Sequence, residues 1–226
     1  MLADKKALLL VGSPKKIHST SDAMGTYLTD KLEEKGFETD KLHILSSLKN
    51  SESIECLLEG IDRSNILILS FPLYIDALPA HIIKAFELIE NRRKNNKVTT
   101  KQKMMVIVNC GFPEPFHNNV AIDICKCFAN RVGFEWAGAL SMGGGGMIQG
   151  KPLKELGGRV RYAVQSLDIA SEAIAKDNVV PKEAMELMKK PPMPQKLYLF
   201  MGSKGWKKQA KKFGCEKDLY ATPYKL

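Results

Sequence analysis

The chain is poor in the residues that build disulfide scaffolds or metal centres, with five cysteines and four histidines in 226 residues. The cysteines (Cys56, Cys110, Cys125, Cys127 and Cys215) are odd in number and scattered, so no disulfide framework is expected and a reducing compartment is. Cys125 and Cys127 tempt a metal assignment. On a helix, however, side chains two positions apart point about 200° apart. No His or Cys cluster stands nearby, and no metal site is expected. Long apolar runs are missing too. Nothing approaches the roughly 20 apolar residues of a membrane-spanning helix, and Ala7 to Val11 is too short for a signal-peptide core. A soluble, cytoplasmic protein is expected. After that first apolar run neither G-x-G-x-x-G nor G-x-x-x-x-G-K-[ST] occurs, so the common dinucleotide and P-loop signatures are absent.

Acidic residues are scarce at one end. The whole chain has 34 Lys and Arg against 25 Asp and Glu, a net charge of +9. Residues 189–226 hold ten lysines against Glu216 and Asp218, so the last 38 residues carry +8 and the remainder +1. A basic charge that would suggest nucleic-acid binding is therefore a property of the tail, and the body is nearly neutral.

What is present is an alternation of short apolar runs with segments of helical period. Strands are read at Ala7–Val11, Phe37–Leu45, Ile66–Leu69, Met104–Val108 and Phe134–Met142. Between them lie helices marked by Met24, Tyr27, Leu28 and Leu32, by Ile54 to Ile61, by Ile82, Ile83, Phe86 and Ile89, and by Val120, Ile124, Phe128 and Val132. A long helix follows through Leu156, Val160, Val164, Leu167 and Ile174, and Pro181 opens a short one. Uninterrupted apolar strands alternating with helices imply a parallel sheet covered on both faces, a doubly wound α/β fold.

In such a sheet ligands bind at the carboxyl ends of the strands. The loop after strand one brings four hydroxyls (Ser13, Ser19, Thr20, Ser21) and two lysines (Lys15, Lys16) to a helix N-terminus. One hydroxyl suffices to cap a helix; the surplus favours phosphate binding, where backbone N–H groups and the helix dipole hold an anion. The loop after strand three, Pro72-Leu73-Tyr74-Ile75-Asp76, is bracketed by Pro72 and Pro79 and is apolar enough to form a ledge for a flat ring. Asn109-Cys110-Gly111-Phe112 after strand four offers a second ledge, with Gly111 allowing close approach. The stretch 143–150 has five glycines in eight residues, and reads equally as a closing lid or a long turn. Cys110 and His117 lack an oriented partner and are read as structural rather than catalytic.

Together Gly12-Ser13-Pro14-Lys15 with Ser19-Thr20-Ser21, Pro72-Leu73-Tyr74 with Leu78-Pro79 and Lys84-Ala85-Phe86, and Asn109-Cys110-Gly111-Phe112 resemble the NADPH-dependent FMN reductase family of flavodoxin-like flavoproteins, over about residues 5 to 176. That family often has an arginine or other polar residue where Lys15 stands. The resemblance implies a five-stranded sheet in order 2-1-3-4-5. It implies FMN with its phosphate on residues 13–21 and its ring between loops 72–76 and 109–112. It also implies a homodimer whose flavin faces the partner subunit. The activity implied is NAD(P)H oxidoreductase: hydride passes from a nicotinamide to FMN and on to a quinone, a free flavin or another small acceptor, with no catalytic side chain required. The four-cysteine cluster of related iron–sulfur flavoproteins is missing. Electron-carrier flavodoxins are usually acidic, which this body is not; a non-catalytic carrier or redox-sensing module is the alternative.

The division expected is 1–176 as the flavin domain and 177–226 as a helical, basic extension. In that extension Trp206, Ala210 and Phe213 recur at helical spacing among Lys207, Lys208, Lys211 and Lys212. Packing of this helix on the body or a partner subunit ranks first and contact with an anionic membrane surface second; nucleic acid is not expected.

Overall fold

The computed structural model describes residues 5–15, 18–95 and 101–222. Its first unit is a sheet of five parallel strands, β1 (Lys5–Val11), β2 (Phe37–His43), β3 (Ile66–Pro72), β4 (Lys103–Asn109) and β5 (Glu135–Met142), in the order β2-β1-β3-β4-β5. The helices are α1 (Thr20–Glu33), a single turn α2 (Ile44–Ser47), α3 (Ser51–Arg63), α4 (Ala80–Asn95), α5 (Asn119–Val132), α6 (Arg161–Ala175) and α7 (Lys182–Lys189). The flavodoxin-like order and the parallel sheet expected from the sequence are both present.

Strand residues alternate between two separate cores, as the two-residue period of a strand requires. Ala7, Leu9, Val11, Ile66, Ile68, Met105 and Ile107 face one side, where Met24, Leu28 and Leu32 of α1 and Leu167 and Ala170 of α6 cover them. Leu8, Leu10, Leu67, Leu69, Met104, Val106 and Val108 face the other side, under α3, α4 and α5. Each fully buried aliphatic side chain is worth about 1.5–3 kcal/mol of burial, which is why near-continuous apolar strands specify this layered arrangement.

Three residues read as helix core stripe are instead on the surface: Ile83 on α4, and Val120 and Ile124 on α5. The inward ridge of α5 is Ala121, Cys125, Phe128, Ala129 and Val132, one step round from the pattern expected. Phe128 stacks on Phe86 of α4 at 3.7 Å between ring centroids and fixes that rotation. Cys125 is buried and Cys127 exposed, on different sides of the helix.

Residues 157–160, expected within the long helix through Leu156 and Ile174, form a tight 3-10 turn before α6 begins. Beyond α6 the chain returns to the first core. The Val180 N–H donates to Ala137 O at 2.7 Å, Ser166 Oγ donates to Ala184 O at 2.7 Å, and Val180, Ala184 and Met188 are buried. Gly138, at φ +121°, permits this: a Cβ there would lie 2.9 Å from Val180 Cβ. The chain divides into compact units at Met1–Pro192 and Met193–Leu226. The second unit is helix α8 (Gln195–Lys212), closed by a turn in which Gly214 takes a left-handed conformation and the Cys215 N–H donates back to Ala210 O at 3.0 Å.

Candidate functional site

At the carboxyl edge of the sheet, four loops converge on a cleft of about 530 Å³. The loop after β1 is anchored at Gly12, whose N–H donates to Ser70 O at 2.8 Å. A Cβ on Gly12 would meet Ile82 Cδ1 at 2.5 Å, so strand and helix approach as closely as glycine allows.

The hydroxyls after β1 divide their work. Ser19 caps α1 and its Oγ accepts from the Asp22 N–H at 3.0 Å. Thr20 Oγ1 donates to Gly145 O at 2.8 Å, and Ser21 Oγ accepts from Asn109 Nδ2 at 2.8 Å. Ser13 Oγ accepts from the Lys15 N–H at 3.3 Å. No hydrogen bond from the backbone N–H of Thr20 or Ser21 is made to any described residue; these are the first-turn donors that a helix leaves to a cap or an anion. Lys15 and His18 bring basic side chains to the lining, and no Asp or Glu is among the described residues that line it.

Asn109, at the end of β4, ties α1 to the end of β3 and the loop after it. Its Nδ2 donates to Ser21 Oγ and to Phe71 O (3.2 Å), and its carbonyl accepts from the Leu73 N–H at 2.8 Å. The loop after β3 then closes in a tight turn, with Tyr74 and Ala77 exchanging backbone hydrogen bonds of 3.1 Å each way. Its two central residues, Ile75 and Asp76, are both left-handed at φ +49° and +56°. That is the dihedral pattern of a hairpin turn usually filled by Asn-Gly. Ile75 is therefore strained, and at 99% exposure no packing compensates for it.

Cys110 lies under the cleft with its Sγ 3.5–3.8 Å from the carbonyls of Phe112, Glu114 and Met142. Burial pushes its thiol pKa up, which keeps it protonated and a poor nucleophile. Phe112 rests on His117 at 4.4 Å between centroids, and His117 on Phe116 at 4.3 Å, a short aromatic stack beside the cleft.

The glycine-rich stretch after β5 is pinned. Gly144 N–H donates to Phe112 O at 2.7 Å and Gly145 N–H to Cys110 O at 2.9 Å. A Cβ on Gly143 would stand 2.2 Å from Pro113 O, and one on Gly145 would stand 2.7 Å from Asn109 Oδ1. Here glycine serves close backbone approach, and the segment is a fixed wall of the cleft.

Of the residues singled out from the sequence, Ser13, Lys15, Ser19, Thr20, Ser21, Pro72, Leu73, Tyr74, Asn109, Cys110 and Gly111 share this cleft. Ile75 and Phe112 do not line it: Ile75 occupies the tip of its turn, and Phe112 is held on His117. Sequence reasoning missed His18, Gly145, Gly146 and Gln149, which do line it. The glycine run was the available signal. His18 and Gln149 sit there through left-handed backbone (φ +58° and +50°), which their residue types do not announce.

No family model and no curated protein sequence matches the chain. Solved structures do. An FMN-dependent NADH-azoreductase of Bacillus anthracis in complex with FMN superposes with a TM-score of 0.53 at 14% identity, covering 76% of this chain and 99% of that one. An NAD(P)H:quinone oxidoreductase of Methanothermobacter marburgensis gives 0.55 at 16% identity over 76% and 96% of the two chains. A flavodoxin of Streptococcus pneumoniae TIGR4 gives 0.53 at 13% identity over 76% and 99%. The fold is flavodoxin-like, and it is the fold alone that likeness at such identities establishes.

Proposed function

We propose that this protein is an FMN-dependent NAD(P)H oxidoreductase acting on a quinone, a flavin or another small acceptor. The observation that carries this reading is the composition of the cleft. One wall supplies hydroxyls, helix-terminal N–H groups that no described residue accepts from, and Lys15, with no carboxylate among the described lining residues. The others are mostly apolar side chains and glycine, Pro72, Leu73, Tyr74, Cys110, Gly111, Gly145 and Gly146. The first suits a phosphate. The second suits a flat ring, and a volume of about 530 Å³ lies within the range of small-molecule sites. The residues therefore fit FMN. Ser13, Lys15, Ser19, Thr20 and Ser21 would hold its phosphate. Pro72, Leu73 and Tyr74 on one side, and Asn109, Cys110 and Gly111 on the other, would frame its ring; Ile75 and Phe112, outside the cleft, would not touch it. Bound flavin supplies the hydride chemistry.

The chain's own part is to bind, orient and exclude. Asn109 locks the two ring-facing loops to α1, so their backbone groups are preorganised. The protonated, buried Cys110 leaves the cleft without a competing thiolate. Tyr74, half exposed beside the opening, is placed to cover a nicotinamide or acceptor ring. FMN reductases of this fold suggest a homodimer in which a second copy completes the mouth of the cleft.

The visible spectrum of the purified protein, followed by anaerobic addition of NADH or NADPH, tests this reading. A yellow protein that bleaches with either nucleotide supports it. A yellow protein indifferent to both turns the assignment to an electron carrier, a role the pneumococcal flavodoxin's shared fold equally accommodates. A colourless protein that cannot be reconstituted with FMN overturns both. Lys15→Ala is expected to weaken FMN binding roughly tenfold, the worth of one charge-assisted hydrogen bond, measured by flavin fluorescence quenching.

A further inference from the structure

We propose that residues 193–226 attach this protein to anionic lipid surfaces, through the apolar first turns of α8 and the lysines of its later turns. The inference rests on the second unit alone and is independent of the flavin reading.

Helix α8 is not amphipathic in the ordinary sense. Its first turns read Leu197-Tyr198-Leu199-Phe200-Met201, and successive side chains step round a helix by about 100°. Five consecutive apolar or aromatic residues therefore occupy the whole circumference. Leu197, Leu199, Phe200 and Met201 are 47%, 52%, 64% and 51% exposed. A flat docking face on a protein covers one side of a helix, and would leave the others in water. A fluid apolar phase covers all of them, which is why helices apolar all round belong to large cores or membranes. Five residues of helix extend about 7.5 Å, comparable with the roughly 5–10 Å to which interfacial helices sink into a bilayer.

The rest of the helix has the complementary chemistry. Lys204, Lys207, Lys208, Lys211 and Lys212 fall on one broad arc, with Trp206 and Phe213 on the other side, both exposed. Residues 193–226 contain eight lysines and two acids. Residues 1–192 carry a net charge of +3 by sequence, the same sign as the tail, so they offer it no opposing net charge. Lysines near an anionic leaflet each add favourable energy, and indole rings favour the headgroup level. Nucleic acid would answer the lysines but gives no place to the apolar turns. No helix among the described residues is long and apolar enough to cross a membrane, so the contact is peripheral. Pro191, Pro192 and Pro194 break helix between α7 and α8.

The test uses the full chain with vesicles of phosphatidylcholine alone or mixed with phosphatidylserine. Partition is read by co-sedimentation, and by the emission of Trp206 in a Trp136→Phe background. Wild type is expected to pellet with the anionic vesicles, to stay in solution with the neutral ones, and to shift its emission to the blue on binding. Replacing Lys207, Lys208, Lys211 and Lys212 by Gln should lower partition about tenfold or more, and so should Leu197→Ser with Phe200→Ser. Thermal melting of each variant confirms an intact body. Three results overturn the proposal: no pelleting with either vesicle, equal pelleting with both, or an apolar double variant that binds as well as wild type. The last would show lysines acting on any polyanion, nucleic acid included.

Discussion

A β-branched residue rarely accepts a left-handed backbone, because its Cβ crowds the following carbonyl at a cost of about 1–2 kcal/mol. Ile75 does so at full exposure, beside the candidate cleft. Ile75→Asn should therefore stabilise the chain by about 1 kcal/mol in denaturant unfolding; unchanged or lower stability would show that the turn relaxes in solution. Tyr27 offers a second test. Its hydroxyl donates to Asp168 at 2.9 Å, and burial, then that carboxylate, pushes its pKa up to about 12. Below pH 10 the tyrosine is neutral folded or unfolded, and its contribution is fully present. As pH rises past 10 the unfolded state loses the proton first, and the contribution fades through about 12. The stability gap between wild type and Tyr27→Phe should shrink between about pH 10 and about pH 12, measured by thermal melting in parallel.

At the scale of the element, the glycine-rich segment acts as a wall through contacts that a single methyl group would disturb. Gly145→Ala places its Cβ against Asn109 Oδ1, and Asn109 holds Ser21. A loss of about 1–3 kcal/mol is expected, together with weaker flavin retention, read from unfolding curves and FMN titration. The strands were legible in the sequence because a parallel strand buried on both faces needs unbroken apolar residues, as in Leu8-Leu9-Leu10 and Ile66-Leu67-Ile68-Leu69. Helix rotation was less legible. Ile83, Val120 and Ile124 are apolar yet exposed, and small residues such as Ala121 and Cys125 take the inward positions. Apolarity alone does not say which side of a helix a neighbour's ring will select. In the cleft, hydroxyls and ledge loops could be read from residue types. The contributions of His18 and Gln149 could not, since they follow from backbone dihedrals.

For the whole molecule, the first core is completed late in the chain. Val180, Ala184 and Met188 close it, and Gly138 makes room for them. Ending the chain after Ala175 would uncover this core, and a protein that no longer unfolds cooperatively is expected. Ending it after Pro192 should leave a cooperative transition and flavin binding intact; calorimetry on the two truncations checks the contrast. The placing of net charge has a further consequence. The two units join where three prolines fall within four residues, and about two thirds of the net charge lies beyond Pro192. One proteolytic cut at this junction would discard most of the cationic character without touching the sheet. On a native gel it would appear as a single large change in mobility. In a cell it would be an irreversible way to change where the body resides while leaving its chemistry in place.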